Sequence, residues 1–448
     1  MEALGKNPAN ASFLVSALGL ISCAIISAGT VGFTGSAFGG MVTSGGYASL
    51  FSALFAVSAL VTILLSRDYL ISQHMHLGEF YLLVLFATLG MMLMASAADL
   101  IIVFLGLELM SICLYVLAGF MRKRSISNES SLKYFLLGAF ATGFLLYGIA
   151  FIYGAAGTTS ITYLTDHFTR LAASEYFWVG IGLLMVGFAF KVGGVPFHMW
   201  IPDVYQGSPT PVSGFMSTGA KAAAFSAFLL VFAHPQFAGQ QRLRTALAVL
   251  SAASMVLGNI VAVSQSNIKR MLAYSSIAHA GYMIAGLAAL SQAGRDGILF
   301  YLIVYTFMNL GAFGVLAVLE REEEKNLSFE DYAGLAGRRP LLAALMAVFM
   351  LSLAGIPPMA GFFAKYYIFV AAVQADLTWL AILGVVTSLV SVYYYLRLIM
   401  VMYFRDGSEA EPVPVTGMCL ATLTLAALLV VGLGIYPSSV LAIINGIH

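Results

Sequence analysis

The chain has 448 residues, of which 60% are hydrophobic and 9% are charged, and its mean hydropathy is +0.93. A soluble protein needs far more polar surface, so this composition excludes the usual soluble classes and indicates a polytopic helical membrane protein. The formal net charge of +1, without a basic cluster, also argues against nucleic-acid binding, which requires grouped Lys and Arg side chains.

Apolar runs separated by polar breaks predict the membrane spans. Each run is near the roughly 20 residues that a helix needs to cross the hydrocarbon core of a bilayer. The thirteen predicted spans are, in chain order, 12–33, 46–66, 79–97, 99–119, 130–155, 176–203, 209–233, 244–264, 275–290, 297–319, 340–375, 378–404 and 417–443. The first run is longer than the apolar core of a typical signal peptide, so we expect it to be a retained span.

The positive charges between these spans predict the orientation of the chain. If the N-terminus lies on side A, that side carries twelve lysines and arginines and the opposite side carries four. Cytoplasmic loops hold an excess of Lys and Arg, so the bias predicts a cytoplasmic N-terminus and a periplasmic C-terminus. The twelve are Lys6, Arg67, Arg122, Lys123, Arg124, Lys269, Arg270, Arg321, Lys325, Arg338, Arg339 and Arg405, and the four are Arg170, Arg242, Arg244 and Arg295.

Two predicted spans, the sixth and the eleventh, are longer than most and contain both glycine and proline. The sixth is interrupted around Gly194 and Pro196, and the eleventh around Gly355 and Pro357. Glycine tolerates backbone angles that other residues avoid, and proline removes a helix hydrogen bond, so both positions predict a broken helix. At membrane depth such breaks face protein or water-lined cavities, as they do in transporters.

The spacing of the two breaks predicts how the chain is organised. They lie five spans apart, and an odd offset reverses the direction of crossing, so two related five-helix units must be inverted repeats. We expect outer helices in 1–78, a first repeat in 79–233, a second repeat in 244–404 and a C-terminal helix in 417–448. The predicted fold class is an all-α polytopic membrane protein with about 13 transmembrane helices and a broken helix in each repeat.

Four lysines and one glutamate lie inside apolar spans. They are Glu108, Lys133, Lys191, Lys221 and Lys365. A charge at the centre of the bilayer costs about 2.5 to 3.5 kcal/mol on insertion scales, so these side chains need a compensating role. Burial disfavours the charged form of a lysine and a nearby carboxylate favours it, so a lysine whose acid partner moves can load and release a proton. A row of such side chains predicts a lateral proton path along the midplane.

Some polar residues have both a functional and a structural interpretation. His279 is either a proton relay in the second half or a hydrogen-bonded packing residue, whereas His198 is expected to satisfy backbone groups freed by the first break. A static ion pair between Glu108 and Lys191 that fixes helix register is the structural alternative for the buried charges, although it leaves the other lysines unexplained. The loop Glu320–Lys325 is expected to be a solvated connection without chemistry.

The sequence gives no sign of a metal, a nucleotide or a redox cofactor. Cys23, Cys113 and Cys419 lie in three different apolar runs, without the paired spacing of a zinc site, an iron–sulfur cluster or a disulfide framework. The glycine-rich stretch Gly32–Gly46 follows no predicted strand and does not end in the lysine of a phosphate-binding loop. We therefore expect no metal and no cofactor bound by this chain.

The run from Lys191 to Gly214 is the most informative motif. It reads Lys-Val-Gly-Gly-Val-Pro-Phe-His-Met-Trp-Ile-Pro-Asp-Val-Tyr-Gln-Gly-Ser-Pro-Thr-Pro-Val-Ser-Gly. It strongly resembles the antiporter-like membrane subunits of proton-pumping NADH:quinone oxidoreductase, respiratory complex I, and its Asp-Val-Tyr-Gln-Gly part is similar to the subunit N branch of that family. Further matching runs, which extend the resemblance to nearly the whole chain, are Phe104–Leu109, Ser131–Phe135, Asn267–Ser276, Leu351–Pro357 and Gly361–Lys365.

The resemblance implies an antiporter-like fold that contains a proton channel. In that channel Glu108 is paired with Lys191, Lys221 is the central lysine and Lys365 is the terminal lysine on the second broken helix. The first repeat is implied to hold the proton-uptake half-channel and the second the release half-channel. Two auxiliary relay residues match less closely, Lys133 near the uptake side and His279 on the axis.

The resemblance also implies an assembly around the chain. The protein is expected to be a non-redox membrane-arm subunit that couples electron transfer from NADH to quinone with proton export across the bacterial cytoplasmic (inner) membrane. NAD, FMN, iron–sulfur clusters and quinone are implied in other subunits. The expected partners are the neighbouring antiporter-like subunit, the small subunits toward the quinone site and the lipid bilayer. Bacterial members usually have about fourteen spans, so the lower count implies that the first of those spans is missing here.

Two alternatives remain open from the sequence. The first is an ion-exchanging subunit of a Mrp-type sodium/proton antiporter or of a membrane hydrogenase, because the same channel is shared by these proteins. The second is a structural membrane scaffold whose buried charges specify helix packing. Charge-neutral substitutions that leave transport unchanged would favour the scaffold.

Overall fold

A computed structural model describes residues 8–320, 327–407 and 415–447 of the chain. This part contains twenty α-helices and one short antiparallel hairpin, in which strand β1 (Gly35–Ala37) pairs with strand β2 (Val42–Ser44). The helices are α1 (Pro8–Gly29), α2 (Gly46–Ser72), α3 (Gly78–Ala95), α4 (Leu100–Ala118), α5 (Ser125–Ala156), α6 (Ile161–Asp166), α7 (Phe168–Leu171), α8 (Glu175–Val192), α9 (Ile201–Gly207), α10 (Thr210–Phe215), α11 (Lys221–Phe232), α12 (Gln241–Val263), α13 (Ile268–Ala288), α14 (Gln292–Leu319), α15 (Leu335–Arg338), α16 (Pro340–Ala354), α17 (Ala360–Gln374), α18 (Thr378–Phe404), α19 (Gly417–Ile435) and α20 (Ser438–Asn445).

The helices confirm the predicted all-α polytopic architecture. Among the described residues, eleven helical segments are long and apolar enough to cross a membrane, and the number is twelve if the bent segment formed by Glu330–Arg338 and Pro340–Ala354 counts as one span. The ninth predicted span corresponds to α13, which is less apolar because it starts with Lys269 and Arg270 and carries His279. The eleventh predicted span consists of two shorter helices, α16 and α17.

Both predicted helix breaks lie where a glycine adopts a left-handed backbone conformation. Helix α8 ends at Val192 and is followed by Gly193 with φ +80°. Helix α16 ends at Ala354 and is followed by Gly355 with φ +81°. An L-residue with a side chain is disfavoured at such angles, so glycine ends each helix at its C-terminal cap. The chain then turns through Pro196 or Pro357 before the next helix begins.

Replacing Gly193 by Ala is expected to destabilise the protein. The left-handed conformation alone costs an L-residue about 1–2 kcal/mol, and the added Cβ would lie 1.9 Å from Ile201 Cδ1. The matched control is Gly182→Ala in the same helix, where nothing lies within 4 Å of the added atom. The thermal midpoint of the purified complex should fall for Gly193→Ala and stay near the wild-type value for Gly182→Ala. Equal midpoints would show that the break relaxes around the side chain.

Two local features occur once in each of the predicted repeats. Helices α4 and α13 are capped by Asp99 and Asn267, whose side chains accept hydrogen bonds from backbone N–H groups of their own first turns. Each cap residue also forms an isolated bridge to a serine that follows the third helix of its half, Ser160 for Asp99 and Ser328 for Asn267. The correspondence supports our proposal that 79–233 and 244–404 are related units.

Glycine also allows the first two helices of each half to approach closely. In α3 and α4, a Cβ added to Gly90 would lie 2.6 Å from the carbonyl oxygen of Gly106. In α12 and α13, a Cβ added to Gly258 would lie 2.6 Å from the backbone nitrogen of Ala278. Small residues at helix contacts permit this backbone approach in membranes. Both halves therefore begin with a tightly packed helix pair.

The segment Thr210–Phe232 is the most buried of the candidate spans, with 94% of its apolar window inside the protein. It consists of α10, a π-helical turn at Met216–Ala220 and α11. It contacts α2, α3, α8 and α14. The segment therefore lies where outer helices and both halves meet, and it holds Lys221 at the centre of the bundle.

Candidate proton-transfer site

Glu108 lies on α4, at a partly buried position in the middle of the helix. The Thr142 hydroxyl of α5 donates a hydrogen bond of 2.8 Å to Glu108 Oε1. No lysine or arginine of the described residues lies within ion-pair distance of this carboxylate. Glu108 is thus oriented by a neutral hydroxyl.

Lys191 occupies the last turn of α8, directly before the first break, and only 6% of it is exposed. Its Nζ donates to Ser111 Oγ at 2.7 Å and to the Tyr115 hydroxyl at 3.4 Å. The aromatic rings of Tyr115 and Tyr134 lie 5.5 and 5.8 Å from the ammonium, a distance at which cation–π attraction stabilises it.

Ser111 binds Lys191 and donates its own hydrogen to the carbonyl oxygen of Leu107. It follows Glu108 by three positions on α4, so the two side chains are neighbours on one helix face. Glu108 and Lys191 interact electrostatically, but within the described residues they form no direct ion pair. The pairing implied by the sequence resemblance is therefore not a direct contact in this structure, since Glu108 binds Thr142 and Lys191 binds Ser111.

A surface groove leads toward this group. Its volume is about 390 Å³, and it lies between α4 and α5 near the start of α5. Tyr115, Gly119, Asn128 and Ser131 are among the residues that line it. Because the Tyr115 hydroxyl also contacts Lys191, the groove connects the protein surface with the first buried lysine through one side chain.

Lys221 follows the π-helical turn and is 1% exposed. Its Nζ donates to the backbone oxygen of Ser276 at 2.5 Å and also to the Ser276 hydroxyl. The ring of Tyr305 lies 5.7 Å from the ammonium. Single π turns inside α-helices are frequent at functional positions, and this one turns Lys221 toward α13.

His279 lies on α13, one turn after Ser276. Its Nδ1 contacts the Tyr301 hydroxyl at 2.6 Å and its Nε2 contacts the Tyr395 hydroxyl at 3.1 Å. Tyr395 in turn is hydrogen-bonded to the Ser275 hydroxyl, next to the serine that binds Lys221. Both ring nitrogens therefore contact groups that donate and accept protons. This contact pattern fits a relay and also fits a packing histidine.

Lys365 lies on α17, after the second break, and is 5% exposed. Its Nζ donates to the carbonyl oxygens of Leu353 and Ala354, at 3.1 and 2.9 Å, which the break leaves without helical partners. It also donates to the Ser388 hydroxyl at 2.8 Å. A groove of about 790 Å³ between α17 and α18 has Lys365 and Ser388 in its wall.

Helix α13 joins the central and terminal lysines. Ser275, Ser276, His279 and Tyr282 follow one another at helical spacing, so they share one polar face. Ser276 binds Lys221 at one end, and the Tyr282 ring lies 5.2 Å from Lys365 Nζ at the other. Polar side chains of α13 therefore lie at intervals between the central lysine of the first half and the terminal lysine of the second.

Lys133 is separate from this line. It is 41% exposed at its side chain and forms ion pairs with Glu129 at 2.7 Å and Asp203 at 2.8 Å. Arg270 binds the other oxygen of Asp203 at 2.7 Å. The group lies at the surface beside the first broken helix, and none of its ion pairs joins Lys133 to the buried lysines.

Sequence reasoning missed two buried charges. Lys269, counted above as a loop charge, lies in the first turn of α13, is 0% exposed and donates to the carbonyl oxygen of Ser208 at 2.8 Å. Glu320, counted as part of a solvated loop, is buried at the end of α14, whereas residues 321–325 of that loop, like Lys6, lie outside the described residues. Both were assigned from run boundaries, which do not show where tertiary contacts cover a helix end.

Two further expectations concern His198 and metal binding. The Nδ1 atom of His198 is buried without a hydrogen-bond partner among the described residues, so the structure does not link this histidine to the lysine row. Within the same residues, no group of three or more His, Cys, Asp and Glu side chains is arranged to hold a metal ion. The site that the geometry brings together is made of lysines, one carboxylate, hydroxyls and an imidazole.

Comparisons with known proteins place this arrangement in a family. Residues 97–391 match the family model described as NADH:quinone oxidoreductase/Mrp antiporter, TM. NADH-quinone oxidoreductase subunit N 1 of Chloroherpeton thalassium is 50% identical over 404 residues, which cover 90% of this chain and 85% of that protein. A chain of respiratory complex I from Thermus thermophilus with bound aureothin is 39% identical with a TM-score of 0.84, over 97% of this chain and 94% of that one.

A further solved structure shares the fold at lower identity. A chain of the Mrp complex from Dietzia sp. DQ12-45-1b is 20% identical with a TM-score of 0.88, over 98% of this chain and 92% of that one. These likenesses confirm the predicted antiporter-like membrane fold. Together with the identity to the curated relative, they show that the chain belongs to the NADH-quinone oxidoreductase subunit N family, within the larger NADH:quinone oxidoreductase/Mrp antiporter group.

Proposed function

We propose that this chain is the proton-translocating, non-redox membrane subunit of a respiratory NADH:quinone oxidoreductase, and that Glu108, Lys191, Lys221 and Lys365 form its proton path. The observation that carries the proposal is the contact series on α13, in which Ser276 binds Lys221 and Tyr282 lies against Lys365. Ionisable side chains buried in a membrane protein mark ion pathways by default, because their burial is costly.

The path divides into two parts with different connections. In the first half, which we propose takes up protons, the groove at Tyr115 leads to Lys191, and Glu108 lies one helical turn from the serine that binds this lysine. No direct hydrogen bond joins Lys191 to Lys221 among the described residues, and we propose that the two lysines are coupled electrostatically. In the second half, which we propose releases protons, serine, tyrosine and histidine side chains of α13 and its neighbours link Lys221 toward Lys365.

The proposed transfer starts with a charge change at Glu108. When the carboxylate moves away from the Ser111 side, the ammonium of Lys191 loses a stabilising charge and releases its proton toward Lys221. The arriving positive charge repels the proton on Lys221, which passes along α13 to Lys365 and leaves on the far side. Each lysine alternates between ammonium and neutral amine, so one proton enters for each one released.

The driving reaction is proposed to take place in other subunits. NAD, FMN, iron–sulfur clusters and quinone belong there, and this chain contributes no redox group to the proposal. Its proposed neighbours are another antiporter-like subunit, the small subunits toward the quinone site and lipid. We place the protein in the bacterial cytoplasmic membrane, with a cytoplasmic N-terminus and a periplasmic C-terminus, on the distribution of positive charge in the sequence.

A Mrp-type sodium/proton exchanger is the second candidate, and a sodium-free measurement separates the two. The purified complex in proteoliposomes, with choline in place of sodium, should acidify the lumen on addition of NADH and quinone at the rate seen with sodium present. A protonophore should abolish the signal as a control. A proton signal that appears only when sodium is added would instead support the exchanger.

A further inference from the structure

Glu320 is a buried acid that the proposed path does not use. Its side chain is 0% exposed, and Arg124 Nη1 lies 3.3 Å from its Oε1. The Tyr69 hydroxyl donates to the same oxygen at 3.0 Å, and the Thr210 hydroxyl donates to Oε2. The carboxylate is thus the point where α2, α10, α14 and the connection before α5 meet.

Arg124 links this buried acid to the surface. Its side chain is 17% exposed, and its second nitrogen donates to Gln73. The Tyr332 hydroxyl, which interacts electrostatically with Glu320, is buried without a hydrogen-bond partner among the described residues. A buried hydroxyl without a protein partner near a carboxylate is a suitable site for an ordered water. Glu320 is therefore linked to the surface through Arg124 while its own side chain is not exposed.

A stripe of hydroxyls runs along α2 from this point. Ser58, Thr62, Ser66 and Tyr69 are all buried and lie on one face of the helix. Eleven residues separate the first from the last, a distance of about 16 Å along the axis. Thr62 and Ser66 each donate to a backbone oxygen of their own helix, which leaves the lone pairs of both hydroxyl oxygens available as acceptors.

The far end of the stripe reaches the turn that carries the central lysine. Ser58 Oγ lies 3.2 Å from Thr218 Oγ1, in the π-helical turn directly before Lys221. Gly219 permits this approach, because an added Cβ would lie 3.1 Å from Ser58 Oγ. The hydroxyls therefore extend from Glu320 to within one turn of Lys221.

Asn309 of α14 completes the connection at this end. Its Nδ2 donates to Ser217 Oγ at 2.7 Å and to the Tyr305 hydroxyl at 3.1 Å, and the Tyr305 ring lies against Lys221. Its Oδ1 is buried without a hydrogen-bond partner among the described residues. An unsatisfied buried amide oxygen is costly unless water binds it. Asn309 Oδ1 is thus an acceptor that a water molecule at this end of the stripe would satisfy.

Lys221 differs from Lys191 in having no acid next to it. Lys191 has Glu108 nearby, whereas Lys221 forms no ion pair in the described part of the chain. We propose that Glu320 is a second proton-binding site and that the α2 hydroxyls deliver its proton to Lys221, as a loading route separate from the one through Glu108. The inference rests on the proposed function, because the route delivers protons to the row of lysines that the proposed function uses.

The transfer balances as a series of proton exchanges. The Glu320 carboxylate takes a proton from water near Arg124 and passes it to the Tyr69 hydroxyl. Each hydroxyl accepts one proton and releases its own, and water bridges neighbours along the helix because their Cβ atoms are about 5–6 Å apart. The last proton converts the neutral amine of Lys221 into an ammonium, and Glu320 returns to the carboxylate.

The hydroxyl stripe is tested by variants that keep its volume. Thr62→Val and Ser66→Ala remove one hydroxyl each, and both side chains otherwise bond only to backbone of their own helix. The matched control is Thr88→Val on α3, since Thr88 is equally buried and also bonds to its own helix backbone. NADH-driven proton uptake into inverted membrane vesicles should fall toward the Lys221→Met level in the two stripe variants and stay at wild type in the control. Wild-type uptake in both stripe variants would overturn the proposal.

Glu320 is tested by two substitutions with opposite expectations. Glu320→Gln keeps the length and the hydrogen-bond acceptor for Tyr69 but cannot bind a proton, whereas Glu320→Asp keeps the acid and shortens the side chain. If Glu320 binds a proton during transfer, Glu320→Gln should lose proton uptake and Glu320→Asp should retain it. A purely structural role predicts that any loss of uptake accompanies a loss of assembly, because Gln also removes the ion pair with Arg124. Assembly is followed on native gels, and the stripe variants decide the question if neither Glu320 variant assembles.

The same vesicles separate this inference from the proposed function. If Lys221→Met takes up protons as wild type does, the lysine row itself is wrong and the proposed function fails. If Lys221→Met loses uptake while the stripe and Glu320→Gln variants match the Thr88→Val control, the row stands and the second loading route alone is rejected.

Discussion

Replacing Lys221 by Met is expected to remove the proton uptake that this subunit contributes while leaving the complex assembled. Met has similar length and fills the same space between α11 and α13, but it cannot carry a proton to Ser276. Loss of a positioned acid–base group typically slows proton transfer by about 10²- to 10⁴-fold. The substitution also removes a buried charge, so we expect no loss of folding stability from it.

The measurement is NADH-driven proton uptake into inverted membrane vesicles, with NADH oxidation recorded in parallel and assembly checked on native gels. Lys269→Met is the matched control, because Lys269 is also fully buried and also binds a backbone carbonyl, outside the proposed row. If the proposed row carries the protons, the Lys221→Met complex should lose proton uptake and the Lys269→Met complex should retain it. Normal uptake by an assembled Lys221→Met complex would support the scaffold alternative.

The lysines and the glutamate of the candidate site were predictable because each is a costly exception in its surroundings. A charge inside a run of apolar residues stands out in the sequence without knowledge of any contact, and Lys191, Lys221 and Lys365 are indeed almost fully buried. The helix breaks were predictable for a similar reason, since Gly and Pro have backbone requirements of their own. Local chemistry is visible in a single sequence.

The partners of those residues were not predicted. Ser111, Ser276 and Tyr395 are ordinary residues in membrane helices, and their role depends on which helix faces meet. One signal was present and unused: the spacing from Ser275 to Tyr282 places hydroxyls and an imidazole on a single face of α13. Glu320 gave no such signal, because its burial depends on residues as distant in sequence as Tyr69.

The indirect contact between Glu108 and Lys191 changes how the acid is expected to work. A direct ion pair holds both charges in place and is costly to break inside a protein. A carboxylate held by the Thr142 hydroxyl, without a direct bond to the ammonium, can change orientation by exchanging neutral hydrogen bonds. The arrangement therefore suits a charge that moves during transfer better than a static pair that fixes helix register.

We therefore expect Glu108→Gln, like Lys221→Met, to lower proton uptake strongly. The amide oxygen of Gln still accepts the bond from Thr142, so packing and assembly should persist, but the negative charge near Lys191 is lost. Without it, proton release from Lys191 is no longer controlled by a moving charge, and uptake by this subunit should fall by about 10²-fold or more. The readouts are those used for Lys221→Met, with NADH oxidation showing that the redox subunits remain active.

Glu175→Gln provides the control for the loss of one negative charge from the same bundle. Glu175 lies in the first turn of α8, the helix that carries Lys191, and is exposed at the opposite end from the break. A general electrostatic effect of the substitution would lower uptake in both variants, whereas a specific role of Glu108 lowers it in one. If assembled Glu108→Gln complexes pump like wild type, Glu108 does not act on the proton path and the assignment is wrong. If uptake is lost, an acid without a direct bond to a buried lysine is sufficient to control it.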